Sequence, residues 1–154
     1  MKTRTILIPT DGSKASRRAV SIGLALAKSL GARVIALHVI PAFHTFTCRA
    51  QLLLSYGMTL SENTAPAYTT AATAGAEKIL DRVNRAAHAL GVKCSTVSVV
   101  DDVPARVIVE VSGERKCELV VMASHGYSGI ERMLLGSETQ HVLTHSTVPV
   151  LVCK

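Results

Sequence analysis

The sequence is poor in several features that would assign a function at a glance. Its 154 residues include no Trp, two Phe and three Tyr. Nucleobases stack on aromatic side chains, so a groove for single-stranded nucleic acid is poorly supplied. The four cysteines, Cys48, Cys94, Cys117 and Cys153, are scattered and form no CxxC pair. That pattern argues against a disulfide scaffold or a zinc ribbon and favours reduced, mostly buried thiols. Long apolar runs are missing too, because Lys28 and Arg33 interrupt the richest stretch, Ile22 to Ile40. No membrane span is expected from such a pattern. Behind Lys2 and Arg4, the apolar stretch Ile6 to Pro9 is too short for a secretion signal. Neither a Walker A sequence nor a GxSxG nucleophile elbow occurs. These absences lead us to expect a cytoplasmic chain without a membrane partner and without an identifiable catalytic residue.

What is present reads as globular. Apolar residues make up 48% and charged residues 18%, the balance of a folded chain rather than a disordered one. The length fits one domain, residues 1–154, able to bury a core without metal or disulfide staples. Lys and Arg number 17 against 11 Asp and Glu, a net charge of +6. The basic residues are spread along the chain, and the longest runs are only Arg17-Arg18 and Arg115-Lys116. Nucleic acid is therefore disfavoured as a partner, and a small anion such as a phosphate ester makes better use of a mild positive bias.

Along the chain, strand and helix signals alternate. Thr5-Ile6-Leu7-Ile8-Pro9 is a continuous apolar run, as a strand buried on both faces would be. Asp11-Gly12-Ser13 supplies turn chemistry and an N-cap candidate. Val20, Leu24, Ala27 and Leu30 recur at helical spacing, and Gly31 is a stop. Val34 to Ile40 is a second apolar run. From Pro41 to about Thr70 the pattern dissolves into a long connection. Ala72, Ala76, Ile79, Leu80, Val83, Ala87 and Leu90 then form one stripe, closed by Gly91. Val92 to Val100 reads as a third strand. Asp101-Asp102 and Pro104 open a helix through Val111, with acids at its positive end. Leu119 to Met122 is a fourth strand, Ser137 to His145 a final helix, and Val148 to Cys153 a fifth strand. Such β-α alternation predicts an α/β fold, an open five-stranded parallel sheet with helices on both faces. Ligands in such folds sit beyond the carboxyl ends of the strands.

The segment after the fourth strand, Ser124 to Ser137, is punctuated by Gly126 and Gly136. Glycines there allow positive φ and close ligand approach. A helix starting near Ser137 would present free N–H groups to an anion, and the Ser137 hydroxyl could bond a phosphate oxygen. Ser137 with Gln140 equally reads as a capping box that satisfies the helix end without a ligand.

The whole chain resembles the universal stress proteins of the UspA superfamily. The residues that carry the likeness are Ile8-Pro9-Thr10-Asp11-Gly12-Ser13, Leu37-His38-Val39, Val121 to Gly126, Leu134-Leu135-Gly136-Ser137, and Val148 to Val152. The ATP-binding branch of that family carries Gly, two residues, Gly, nine residues, then Gly with Ser or Thr. Here Gly126, the nine residues Tyr127 to Leu135, and Gly136-Ser137 match. Ala123 stands at the first glycine, where a positive φ would cost about 1–2 kcal/mol. The resemblance implies a Rossmann-like sheet in the order 3-2-1-4-5. It implies a nucleotide site from Pro9, Thr10, Asp11, Val39, Met122, Ala123, His125, Gly126, Gly136, Ser137, Glu138 and Thr139. Asp11 and Val39 would meet adenine, Met122 and Ala123 would flank the ribose, and Gly126, Gly136 and Ser137 would hold phosphates. The implied ligand is ATP, with Mg as its counter-ion, and the implied assembly is a homodimer through the C-terminal strand.

Other candidates have plainer readings. His141 and His145, spaced i,i+4, could be half a metal site, but a surface pair is the simpler reading. His44 and Cys48 share the long connection, where Leu52-Leu53-Leu54 could cap a pocket or meet a partner. Asp11 can serve as a turn former alone. Glu138 would repel a γ-phosphate if it faced the ligand, giving weaker affinity or a preference for a shorter phosphate chain; it is expected to point outward. The resulting reading is an ATP-binding, switch-like stress-response protein with at most slow hydrolysis. Its rival is a nucleotide-free homodimeric interaction protein of the same fold.

Overall fold

The computed structural model describes residues 4–43, 64–126 and 135–154. The apolar runs become strands and the periodic stretches become helices. In chain order these are β1 (Thr5–Pro9), α1 (Lys14–Leu30), β2 (Arg33–Ile40), α2 (Thr64–Ala89), β3 (Cys94–Val100), α3 (Pro104–Glu114), β4 (Leu119–Ala123), α4 (Ser137–His145) and β5 (Val150–Cys153). The strands form one sheet in the order β3-β2-β1-β4-β5. All pairings are parallel, with Leu7 beside Ile35 and Val120, and Ala123 beside Cys153. The expected strand order and fold class are thus observed.

Successive strand residues point to opposite faces, so each apolar run feeds two cores. Ile6, Ile8, Val34 and Val121 pack with Leu24 of α1 and with Leu80 and Val83 of α2. Leu7, Ile35, Leu37, Val120 and Met122 pack with Ile108 and Val111 of α3 and Val142 of α4. Leu7, Ile8 and Val120 are wholly buried. Cys117 and Cys153 lie in these cores, and burial pushes both thiols up from their ordinary value. Among the described residues the helices include none long and apolar enough to cross a membrane.

Two expectations on boundaries change. The helix expected after about Thr70 already begins at Thr64. Pro66 sits in its first turn, where a missing N–H costs nothing. The Tyr68 hydroxyl donates to Pro41 O at 2.7 Å, and its ring packs 5.7 Å from Phe43, centroid to centroid. The acids before α3 also act differently from expectation. The N-cap of α3 is Val103, with no side-chain cap, and its first turn holds no acid. Asp101 instead accepts from Val103 N and pairs with Arg106, while Asp102 accepts from Ala42 N. His44, Cys48 and Leu52 to Leu54 lie outside the described residues.

The β1–α1 turn needs its glycine. Gly12 has φ +80°, and a Cβ there would lie 3.0 Å from two carbons of the Ile79 side chain. Ser13 follows as the N-cap of α1, accepting from Ser16 N at 3.2 Å. Gly12→Ala combines a left-handed strain of about 1–2 kcal/mol with a push against α2. Urea unfolding should show a stability loss of at least that size. An unchanged midpoint would mean the turn relaxes freely.

Candidate functional site

The strand order reverses between β1 and β4: β1 connects to β2 on one side, and β4 lies on the other. Neighbouring connections then leave in opposite directions, and a crevice opens beyond the carboxyl ends of those strands. A cleft of about 150 Å³ lies there, lined by Pro9, Thr10, Asp11, Ser16, Leu37, Val39, Pro104, Ile108, Met122, Ala123, His125, Gly126, Glu138 and Thr139. A cavity near 150 Å³ is the size that takes up a single six-membered aromatic ring.

Each wall is fixed by hydrogen bonds from its own element. On the β1 side, Thr10 N donates to Leu37 O at 2.8 Å, and the His38 ring braces Thr10 O from β2, also at 2.8 Å. The Thr10 hydroxyl accepts from Gly12 N and bonds Ser16 Oγ at 3.0 Å. Asp11 turns back to accept from Ser13 N at 2.9 Å. On the β4 side, Ser124 N donates to Cys153 O at 2.8 Å. The Thr139 hydroxyl lies 3.0 Å from both Ala123 O and Ser124 O, and Gly136 N donates to Ser124 O at 2.7 Å. These bonds tie the start of α4 to the end of β4.

Of the expected residues, Pro9, Thr10, Asp11, Val39, Met122, Ala123, His125, Gly126, Glu138 and Thr139 line this cleft. Gly136 and Ser137 sit behind it, at the start of α4. Tyr127 to Leu134 lie outside the described residues. Ile108, Leu37 and Ser16 line it without having been expected, whereas Pro104 lies just beyond the carboxyl end of β3, where such folds are expected to place a ligand. Ile108 carries only a core signal in the sequence.

The reasons for several residues differ from those expected. Gly126 and Gly136 do not adopt positive φ; among the described glycines only Gly12, Gly31 and Gly91 do. Space makes them glycine. A Cβ on Gly126 would collide with Asp11 Oδ2, and one on Gly136 would lie 3.3 Å from His125 Cα and from Ser124 O. Ala123 is an ordinary strand residue with no positive φ, so its methyl narrows the cleft without backbone strain. The capping box is not formed. The N-cap of α4 is Gly136 with no side-chain cap bond, because Gly136 is drawn to Ser124 O and its own carbonyl accepts from Gln140 N. Ser137 is thus an exposed first helical residue.

Glu138 is not aimed outward as expected. Its Oε2 accepts from Ala105 N at 2.7 Å, supplying α3 with the anionic cap its own sequence lacks. Ser124, which the sequence did not single out, bonds the His125 ring, with Oγ 2.9 Å from Nδ1. Ser124 is only 1% exposed, so it orients the ring and cannot present its hydroxyl to a ligand. His141 and His145 stack 4.2 Å apart on the surface of α4. Among the described residues, no three His, Cys, Asp or Glu side chains gather as a metal site.

The comparisons with known proteins agree with this architecture. The profile of the Universal stress protein family matches residues 2–154. The chain belongs to the universal stress protein family. A universal stress protein of Methanocaldococcus jannaschii is 32% identical over 98% of this chain and 82% of its own length. Among solved structures, another protein of that organism superposes with a TM-score of 0.79 at 25% identity, covering 100% of this chain and 97% of its own. Two more distant universal stress proteins, 24% and 15% identical with TM-scores of 0.65 and 0.66, were solved in complex with cAMP and with dAMP. Those two cover 100% and 99% of this chain and 98% of their own.

In this member of the family, Thr139 is the stitch between α4 and β4. Thr139→Val keeps the shape and deletes the hydroxyl that serves two carbonyls. The expected cost is about 1–3 kcal/mol, read as a lower denaturant midpoint with unchanged slope. A neutral result would show that the stitch carries no stability.

Proposed function

We propose that this chain is an adenine-nucleotide-binding, stress-response regulatory protein. The observation that carries the reading is the cleft: a largely apolar crevice, open to solvent, beside a helix N-terminus without a side-chain cap. Pro9, Leu37, Val39, Ile108 and Met122 supply flat apolar walls, which suit a purine. By the family resemblance, Asp11 and Val39, which both line the cleft, would meet the base. The first turn of α4 has no side-chain cap, so its N–H groups suit a phosphate. Gly126 leaves the Asp11 carboxylate its place in the cleft wall. The nine-residue spacing between Gly126 and Gly136 is the one the ATP-binding members carry, so ATP, with Mg shielding its phosphates, falls within the proposed class. The cAMP and dAMP complexes of two relatives support the adenine class.

The described cleft contains no exposed nucleophile with a base beside it. Ser124 is buried and serves the His125 ring. Turnover is therefore slow at most, and occupancy acts by biasing conformation or partner choice. Purified protein should gain thermal stability with millimolar adenine nucleotides, as any ligand that binds only the native state requires. Gly126→Ala should abolish that gain while melting near the native temperature, because its methyl displaces the Asp11 carboxylate. Equal melting with and without nucleotide would defeat the reading.

Homodimerisation through the C-terminal strand is the second part of the proposal. β5 is an edge strand paired only to β4, and Leu151 on it is 39% exposed. Apolar sheet edges are normally paired or covered. Light scattering at micromolar concentration should return twice the chain mass, and Leu151→Lys should return the single mass. A native monomer contradicts this part alone.

A further inference from the structure

We propose that Glu138 makes the cleft discriminate by phosphate number, accepting adenosine and adenosine monophosphates and penalising the triphosphate. This rests on the adenine-nucleotide reading above and specifies which members of that class bind best.

Glu138 belongs to the first turn of α4, the turn assigned to phosphate, and it lines the cleft. Its side chain is exposed, yet one of its oxygens is engaged. Oε2 is held at 2.7 Å by Ala105 N, in the first turn of α3. One carboxylate therefore stands between two helix N-termini, the electrostatic position a bound anion would take. Among the described residues nothing cationic offsets it: Glu138 makes no ion pair there, and none of the described residues lining the cleft is Lys or Arg. Arg106, on α3, is already paired with Asp101 and Glu110.

The base and first phosphate can be accommodated by the apolar chamber and the glycine gap. Each further phosphate adds negative charge beside a carboxylate that the Ala105 bond prevents from moving away. Two like charges a few ångströms apart at a protein surface repel by roughly 1–4 kcal/mol. Glu138 is substantially exposed, which favours the lower end of that range and an effect of about five- to tenfold.

The experiment is calorimetric titration of the native protein, Glu138→Gln and Glu138→Ala with adenosine, AMP, ATP and Mg-ATP. The Gln variant keeps a carbonyl oxygen for Ala105 N and removes only the charge. Native protein should bind AMP more tightly than ATP, with or without magnesium. Glu138→Gln should tighten ATP about five- to tenfold and leave adenosine and AMP within twofold. The native ATP penalty should shrink as salt is raised, because the charges are screened. A merely structural role predicts something else: Gln behaving as native and Ala weakening every ligand together, and that result overturns the proposal. So does a native protein that prefers Mg-ATP and loses it in Glu138→Gln, which would make Glu138 a metal ligand. Failure of all four ligands to bind defeats the adenine reading and this proposal with it, whereas ATP binding without adenosine or AMP defeats this proposal alone. Binding of adenosine and AMP with an unmoved ATP ratio also defeats this proposal alone.

Discussion

The chain leaves β4 at Ser124 and returns to it at Gly136, and the rest of the site depends on how that return is pinned. Gly136 N donates to Ser124 O, and the Thr139 hydroxyl reaches the carbonyls of Ala123 and Ser124. Backbone groups at a strand end have no ladder partner and must be satisfied if buried. Here the incoming helix satisfies them, so the need to pair two carbonyls also fixes where α4 begins. Its first turn is thereby brought to the cleft, together with Glu138. A side chain on Gly136 would press on the His125 backbone and on Ser124 O at 3.3 Å, so the return to β4 would have to give by a few tenths of an ångström.

Much of the fold was legible because its signals are local. Thr5 to Pro9 and Leu119 to Ala123 are continuous apolar runs between breakers, and a parallel strand covered on both faces gives that pattern. Gly31 and Gly91 end their helices at positive φ, as C-terminal glycines commonly do. The start of α2 was less legible. Thr64 to Thr70 carries no apolar stripe, and its helicity depends on continuity with the packed turns at Ala76 and Leu80. The site was legible in identity more than in cause. Gly126 and Gly136 are necessary for clearance, which depends on Asp11 and His125 approaching from elsewhere. The Glu138–Ala105 bond joins residues 33 positions apart, and no periodicity or motif encodes such a pair.

The cleft is also held before any ligand arrives. Among the described residues no buried side-chain nitrogen or oxygen lacks a hydrogen-bond partner. Thr10, Ser16 and Ser13 form a closed set at the start of α1. Ser124 fixes the His125 ring. A site assembled in this way loses little side-chain entropy on binding, which is where much affinity is usually spent. The stability behind it comes from the two apolar layers. The ion pairs of Arg85 with Asp81 and of Arg4 with Glu118 are largely exposed and contribute at most about 1 kcal/mol each.

Two electrostatic scales then act on an anionic ligand, and they have opposite signs. The net charge of +6 attracts anions at a distance, but at physiological salt its reach is a screening length of about 8 Å. It therefore raises the rate of encounter and is indifferent to where on the ligand the charge sits. Glu138 acts only after contact, where separations are shorter than the screening length and solvent is partly displaced. Its influence falls on the phosphate nearest the α4 first turn and on those beyond it. On the proposed reading, a chain with a net positive charge would collect phosphate esters of any length and still retain preferentially the short ones. The bond to Ala105 puts the cap of α3 and the negative charge in one carboxylate, so only a substitution that keeps the oxygen and removes the charge would separate the two.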